Sequence, residues 1–198
     1  MDKLIEEHYT GHKAQTYNNR SNNHKWGFEQ RIVETFIREH EDVETIIDAP
    51  LGTNRFSLVI ENSSHIKSVD GYEYSDDMIA EARKPISSKL KIHKWNLVTD
   101  AIEKKGDLSL VIRMLNLFPE EQSLSILNNI LVATEKYSIV TLRCWAQPHK
   151  LTADNKIHVQ NEQRFVQEFN DLGFRIIDER FTSTVVDGTY KIFILERI

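Results

Sequence analysis

Residues 46–56 read IIDAPLGTNRF, and residues 69–84 read VDGYEYSDDMIAEARK. In the first stretch a β-rich run, Val43 to Ile47, closes on Asp48 and gives way to a turn holding Gly52 and Asn54. Gly52 lets the backbone pass close to a ligand, and Asn54 tolerates a left-handed conformation better than most residues. The second stretch belongs to a strand-like segment, Ile66 to Tyr74, with two acids, Asp70 and Glu73. Ser75 then reads as the N-cap of a helix with Asp76 and Asp77 in its first turn, stopped by Pro85. An acid about 20 residues beyond a glycine turn is placed to accept both ribose hydroxyls of a nucleoside. Glu73 directly precedes Tyr74 and the cap, so it is expected at the strand end. Asp70 falls inside the strand or at a bulge before Gly71. Taken singly, the turn is equally an ordinary strand-to-helix connection and each acid equally a surface charge; their interval is what points to a nucleoside. The nicotinamide fingerprint G-x-G-x-x-G is absent.

Working outward, strands and helices alternate. Phe28, Ile32, Val33, Phe36 and Ile37 recur at helical spacing over Phe28 to His40. Arg55 to Glu61 suits a short helix, and Leu90 to Leu97 a third strand. Asp107 to Met114 contains LSLVIRM, an apolar run suited to a central parallel strand. A helix begins at Pro119, with Glu120 and Glu121 in its first turn, and runs to about Lys136. Tyr137 to Cys144 follows as a fifth strand. Near the C-terminus, a helix from Glu162 to Leu172 is closed by Gly173. Two strand-like runs then follow, Phe174 to Phe181 and Thr189 to Arg197, joined by a short loop with Asp187-Gly188. A parallel pair needs a crossover of about a dozen residues or more, so these two strands are expected to form an antiparallel hairpin. The expected fold is α/β: a doubly wound, seven-stranded, mostly parallel sheet with a C-terminal antiparallel hairpin and helices on both faces. Residues 1–27, with a polar loop from Asn18 to Lys25, are expected to form an N-terminal lid on a single domain, 28–198.

Composition narrows the function classes. The chain has 198 residues, 40% hydrophobic and 28% charged, as expected of a soluble globular protein. Its net charge is −5 and no basic stripe is visible, so nucleic acid is not an expected partner. The local basic run Lys89 to Lys94 reads as a solvated sheet edge. Apolar runs are of strand length, so no membrane span is expected. The opening MDKLIEEHYTGHK mixes both charge signs without the apolar region of a signal peptide. The single cysteine, Cys144, permits no internal disulfide and fits a reducing compartment, so a cytoplasmic location is expected. Cys144 ends a buried strand without an evident histidine partner and reads as packed and inert. No metal site is expected.

Four stretches in order then resemble class I S-adenosylmethionine-dependent methyltransferases. IIDAPLGTNRF looks like their first motif and VDGYEYSDDMIAEARK like their second. KIHKWNL matches the third, and GDLSLVIRMLNLFPEE the strand and loop that face the transferred methyl. FNDLGFRIIDERF and YKIFILERI match the family's last helix and closing hairpin. The resemblance covers Phe28 to the C-terminus.

The resemblance implies S-adenosyl-L-methionine as cofactor, with S-adenosyl-L-homocysteine as product. The cofactor-binding residues it implies are Asp48, Ala49, Pro50, Gly52 and Asn54 from the first motif, Glu73, Tyr74 and Met78 from the second, and Asn96 and Leu97 from the third. Asn96 takes the place of an acid that contacts the adenine amino group. Two departures stand out. Asn54 occupies a position where the family usually has glycine. Asn116 and Leu117 stand where relatives often carry a histidine. Arg113, at the end of the fourth strand, can pair with a substrate anion or with the cofactor carboxylate. Arg20 and Tyr17 can do the latter as well. His149, after the fifth strand, is the expected general base for a hydroxyl acceptor, with His24 as a second candidate. The implied activity is methyl transfer to oxygen or nitrogen of a small molecule or a sugar or glycoconjugate. The alternative is a degenerate, non-catalytic module that binds the cofactor or a nucleoside. A nicotinamide-dependent oxidoreductase is disfavoured by the missing fingerprint and by the terminal hairpin.

Overall fold

A computed structural model describes residues 10–21, 24–85, 87–145, 158–184 and 188–198. Seven strands form one mixed sheet in the order β3-β2-β1-β4-β5-β7-β6. The chain divides into two compact units, before and after Asp100–Ala101.

In the first unit, β1 (Thr45–Asp48), β2 (Ser68–Glu73) and β3 (Leu90–Lys94) pair in parallel, with Asp48 opposite Gly71 and Glu73 opposite Lys94. The helices are α1 (His12–Ser21), α2 (His24–Glu39), α3 (Ser57–Asn62) and α4 (Asp76–Ala82). The apolar stripe read from the sequence puts Val33, Phe36 and Ile37 of α2 in the core, together with Ile46, Ile47, Ile60, Ile66 and Val69. Full burial of such side chains stabilises by roughly 1.5–3 kcal/mol each. Ser75 caps α4 as expected: its Oγ accepts from the amide of Met78 at 3.3 Å.

The loop expected over Asn18 to Lys25 is corrected: Asn18–Ser21 complete α1, and α2 begins at His24, so the 27/28 boundary falls inside a helix. No glycine or proline lies between His12 and Trp26. Asn and Ser cost under about 0.7 kcal/mol each in a helix, and tertiary anchoring outweighs that. Ala14 is buried, and the Gly11 amide donates to Asp77 Oδ2 at 2.8 Å.

In the second unit, β4 (Gly106–Val111) runs parallel to β5 (Thr134–Trp145) and is buried along its whole length. β7 (Gly188–Arg197) runs antiparallel to β5, and β6 (Phe174–Thr184) antiparallel to β7, giving the expected hairpin. Between the strands lie a 3-10 turn (Leu115–Leu117), α5 (Glu120–Val132) and α6 (Glu162–Asp171). Phe165 and Phe169 of α6 pack into the core, Phe169 edge-on to Phe193 with centroids 5.5 Å apart. Gly173 follows α6 with φ +77°, the left-handed C-terminal position that glycine fills without steric cost.

Three boundaries shift. α5 ends at Val132 rather than near Lys136, because Thr134 enters β5 and its Oγ1 closes the helix by donating to Ile130 O at 2.9 Å. β3 stops at Lys94, because Asn96 and Asp100 fold the next residues into a turn. β4 stops at Val111, so Arg113 lies two residues beyond the strand rather than at its end.

Gly71 fixes how closely the first motif approaches β2. A Cβ there would lie 2.8 and 2.9 Å from the methyls of Leu51 and 3.1 Å from Leu90 Cδ1. Leu51 is itself buried and tied to β2 by its amide, which donates to Tyr72 O at 2.9 Å. Overpacking of this kind costs about 1–3 kcal/mol. Gly71→Ala is therefore expected to lower the melting temperature by roughly 2–10 °C, measured by circular dichroism. An unchanged melting curve would mean that the Leu51 side chain moves aside freely.

Candidate functional site

The turn after β1 is shaped by its own residue types. Gly52 has φ +59° and Asn54 φ +61°. Asn54 is buried, and its Nδ2 donates to Ala82 O at 3.3 Å, fastening the turn to the end of α4. The departure from glycine at this position is thus accommodated by a residue that reaches the left-handed region at modest cost and gains a hydrogen bond there. Met78 closes over the turn: a Cβ on Gly52 would lie 3.7 Å from its Cε. Ala49 is fully buried and joined to Pro50 by a cis peptide.

Glu73 is the last residue of β2, where the sequence placed it. Its Oε2 accepts from the Gly52 amide at 2.9 Å, and its Oε1 accepts from the Tyr74 and Ser75 amides, each at 2.9 Å. Burial raises the Glu73 pKa above the ordinary carboxylate value, and the three backbone hydrogen bonds and Lys94 oppose that rise. Three donors leave part of the carboxylate's roughly four lone-pair positions for a ligand. Asp70 lies inside β2, paired in register with Lys91, and its Oδ1 meets His93 Nε2 at 2.6 Å. Of the two acids, Glu73 belongs to the turn and Asp70 to a strand-to-strand pair.

Asp48 is 2% exposed, and its Oδ2 has no hydrogen-bond partner among the described residues. Burial lifts its pKa well above the ordinary value, Glu73 adds to the rise, and Arg55 opposes it. Arg55 is held by Glu29 at 3.4 Å and lies over the Phe56 ring at 4.6 Å. The sequence reading did not single out Arg55; an arginine seven residues after a strand-end acid was its only signal.

Asp48, Gly52, Asn54, Glu73 and Met78 are therefore brought together around one turn. Tyr74 adjoins them, half-buried, with Lys94 Nζ 5.2 Å from its ring centroid. Leu97 is buried and Asn96 half-buried. The Asn96 side chain, however, serves its own turn, with Oδ1 accepting from the Val98 amide at 3.1 Å. Tyr17 lies half-buried on α1. The side chains of Arg20 and His24, and all of His149, lie outside the described residues.

In the second unit, Arg113 has φ +55°, and its amide donates to Thr141 Oγ1 at 2.6 Å. Its guanidinium lies over the Tyr190 ring, 4.4 Å from the centroid. Arg143 approaches the same ring at 5.0 Å. Neither Arg143 nor Tyr190 was picked out from the sequence, because the hairpin register that joins them is not visible in a linear pattern. Asn116 is buried, and its carbonyl accepts from the His158 amide at 2.8 Å. Gln160 Nε2 donates to Leu115 O at 2.8 Å and to Phe118 O at 3.1 Å, fixing the turn after β4. The Cys144 thiol is pushed up to about 11 by burial and by Glu162, so it is not a nucleophile near neutral pH. Among the described residues no cluster of His, Cys, Asp and Glu could hold a metal ion, and no helix is long and apolar enough to cross a membrane.

No protein-family model and no curated protein sequence matches this chain. Solved structures do match. Magnesium protoporphyrin IX methyltransferase from Synechocystis PCC 6803, with bound SAH, superposes with a TM-score of 0.79 at 12% identity, covering 100% of both chains. The amino pentose methyltransferase of calicheamicin biosynthesis from Micromonospora echinaspora, with SAM bound, gives 0.66 at 12% identity over 96% of this chain and 98% of that one. Human N-acetylserotonin methyltransferase, in complex with SAM, gives 0.68 at 12% identity over 99% of this chain and 59% of that one. The fold is that of the class I methyltransferases. At this identity the likeness establishes the architecture, and the chemistry has to be argued from the residues.

The raised pKa of Asp48 has a consequence for stability. An acid whose pKa is higher folded than unfolded supports the fold fully below its unfolded pKa, about 3.9. That support is lost as pH rises towards the folded value. Asp48→Asn mimics the neutral form. Its melting temperature relative to the parent is expected to climb as pH is raised from 4 to 8, read by scanning calorimetry. A difference that stays flat across that window would show that Asp48 is not held protonated.

Proposed function

We propose that the protein is an S-adenosylmethionine-dependent methyltransferase acting on oxygen or nitrogen of a small molecule or a sugar or glycoconjugate. The observation that carries this reading is the bond from the Gly52 amide to the Glu73 carboxylate, which joins the glycine turn to the strand-end acid. The residues fit the cofactor on their own chemistry. Glu73 is the acceptor for the ribose hydroxyls, and the Gly52 turn offers close backbone approach. The orphaned Oδ2 of buried Asp48 suits a cationic amino group. Ala49, Pro50, Asn54, Tyr74, Met78 and Leu97 line the same elements, and Asn96 would turn its amide from the Val98 bond to the adenine edge. Tyr17, Arg20 and Arg113 are the candidates for the cofactor carboxylate. SAM bound there would supply a methyl group already activated on a sulfonium.

What the chain then has to do is align acceptor and methyl, an effect that can contribute roughly 7–11 kcal/mol to lowering the barrier. His149 is the proposed base where the acceptor is a hydroxyl, and Arg113 the proposed charge at the acceptor. A cytoplasmic enzyme without a nucleic-acid partner is part of the same reading, consistent with the chain's acidic balance and single cysteine.

A second reading, a module that binds the cofactor without transfer, is favoured by one observation: the Asn96 oxygen is already committed to its own turn. Calorimetric titration with SAM and SAH tests what the two readings share, and SAH release on addition of hydroxyl and amine acceptors separates them. Absence of binding at millimolar ligand would overturn both. Glu73→Ala removes charge-assisted bonds worth roughly 1.5–3 kcal/mol each, so SAH affinity should fall more than tenfold. Asp70→Ala, which touches only the His93 pair, should leave it within twofold. Loss in Asp70→Ala instead would move the ribose site into the strand.

A further inference from the structure

We propose that Asp100 is a positioning residue for nucleobase recognition: it holds the turn after β3 closed, so that the Asn96 side chain and the Val98 amide can part and read an adenine edge. The inference rests on the SAM-binding reading and adds to it a residue that sets base selectivity without touching the base.

The turn belongs to the first unit and begins beside the proposed ribose acceptor. The Trp95 amide donates to Glu73 O at 3.0 Å. Residues 95–100 therefore start at the carboxyl ends of β2 and β3, the side on which open α/β sheets bind ligands. Glu73 is flanked by the Gly52 turn on the β1 side and by this turn on the β3 side. The first carries Asn54, whose amide is buried and committed to Ala82 O. The second carries Asn96, whose amide is half-buried and engaged only with its own turn.

That local bond has the polarity of a base contact. Asn96 Oδ1 accepts from the Val98 amide at 3.1 Å. A backbone N–H can only donate, so the atom it meets is the amide oxygen. Once parted, the two groups present an acceptor beside a donor. Adenine offers the complement, a donor at its 6-amino group beside an acceptor at N1. Hypoxanthine reverses both, with an acceptor at O6 and a donor at N1. Adenine therefore replaces the internal bond without leaving either group unpaired, and hypoxanthine does not.

A side-chain bond to the backbone two residues on is commonly what holds such a turn, and giving it up would loosen the groups that meet the base. Here Asp100 carries the turn. Its Oδ2 accepts from the Asn96 amide at 2.8 Å, and its Oδ1 accepts from the Thr99 hydroxyl at 2.8 Å. The Asp100 amide donates to Asn96 O at 2.9 Å. Asp100 O accepts from the Trp95 indole Nε1 at 2.9 Å, and Trp95 is buried, edge-on to Tyr72 with centroids 5.7 Å apart. Asp100 thus grips the main chain of Asn96 at both its N–H and its carbonyl and leaves the side chain out of the grip. The hydrogen bonds from the Asn96 amide and the Thr99 hydroxyl hold the Asp100 carboxyl below its ordinary range, so the acceptor is charged at neutral pH.

The probes are SAH and its deaminated analogue S-inosyl-homocysteine, titrated calorimetrically into the parent protein, Asp100→Ala and Asp100→Asn. The parent is expected to bind SAH at least tenfold more tightly than the analogue, which leaves both turn groups facing like partners. Asp100→Ala should weaken SAH at least fivefold while the analogue stays within twofold, so most of the preference disappears. Asp100 is exposed, and substitutions at exposed positions seldom unfold a protein. Asp100→Asn keeps an oxygen for the Asn96 amide and should recover the preference. The proposal is overturned if Asp100→Ala keeps the parent's preference. It is equally overturned if both ligands weaken in step, the mark of a general supporting role, or if Asp100→Asn discriminates no better than Asp100→Ala. A parent that binds both ligands alike overturns it too and leaves the cofactor reading standing. A parent that binds neither sinks the cofactor reading and this inference with it.

Discussion

The carboxylate of Glu73 ties together three parts of the chain that would otherwise be independent. One oxygen takes the amide of the glycine turn, and the other takes the two amides that lead into α4. A buried acid with those partners sets the end of β2, the height of the Gly52 turn above it and the start of the helix whose cap follows at Ser75. Charge-assisted hydrogen bonds of this kind are about twice as strong as neutral ones. The arrangement therefore stays specified even though β1 is only a short strand. Close approach of Leu51 to Gly71, and of Met78 to Gly52, completes the same constraint through packing. The acid that organises the turn keeps acceptor capacity after doing so, which is what the proposed nucleoside seat requires of it.

This is also why the first unit was largely legible from the sequence. An acid just before a serine cap, about 20 residues beyond a glycine turn, is a local pattern, and local patterns survive folding when hydrogen bonds of short span enforce them. The hairpin was legible for a different reason: the connector after β6 is too short for a parallel crossover. Strand ends were less legible. Leu90 to Leu97 carries apolar residues up to its last position and Asp107 to Met114 is largely apolar, but side chains and turns end the strands at Lys94 and Val111. The polar run after Thr16 misled because composition reports solvation, whereas Ala14 and the Gly11–Asp77 contact decide the helix.

Arg143 and Tyr190 illustrate what a linear pattern omits. They are far apart in the chain and become partners only through the register of β5 on β7. Arg113 drew notice as a charge after an apolar strand. Its strained backbone, and the ring it faces, follow from Thr141 and from β7, neither of which lies near it in sequence. Signals held by register are invisible until the strands are paired.

The distribution of ionisable groups also constrains what chemistry the fold can perform. The one thiol is held in its neutral form by burial and by the neighbouring Glu162, so a covalent intermediate on cysteine has no nucleophile to start from. Burial raises the Asp48 pKa, so its charged form is costly unless a cation is brought to it, and it is not a free base in solvent. The positive charge of the second unit's strand ends sits instead on two arginines that meet the Tyr190 ring. Groups that hold charge but do not exchange protons are suited to positioning. A reaction whose leaving group is already activated needs little else from a protein, and that match between fixed charge and alignment chemistry supports the proposed methyl transfer.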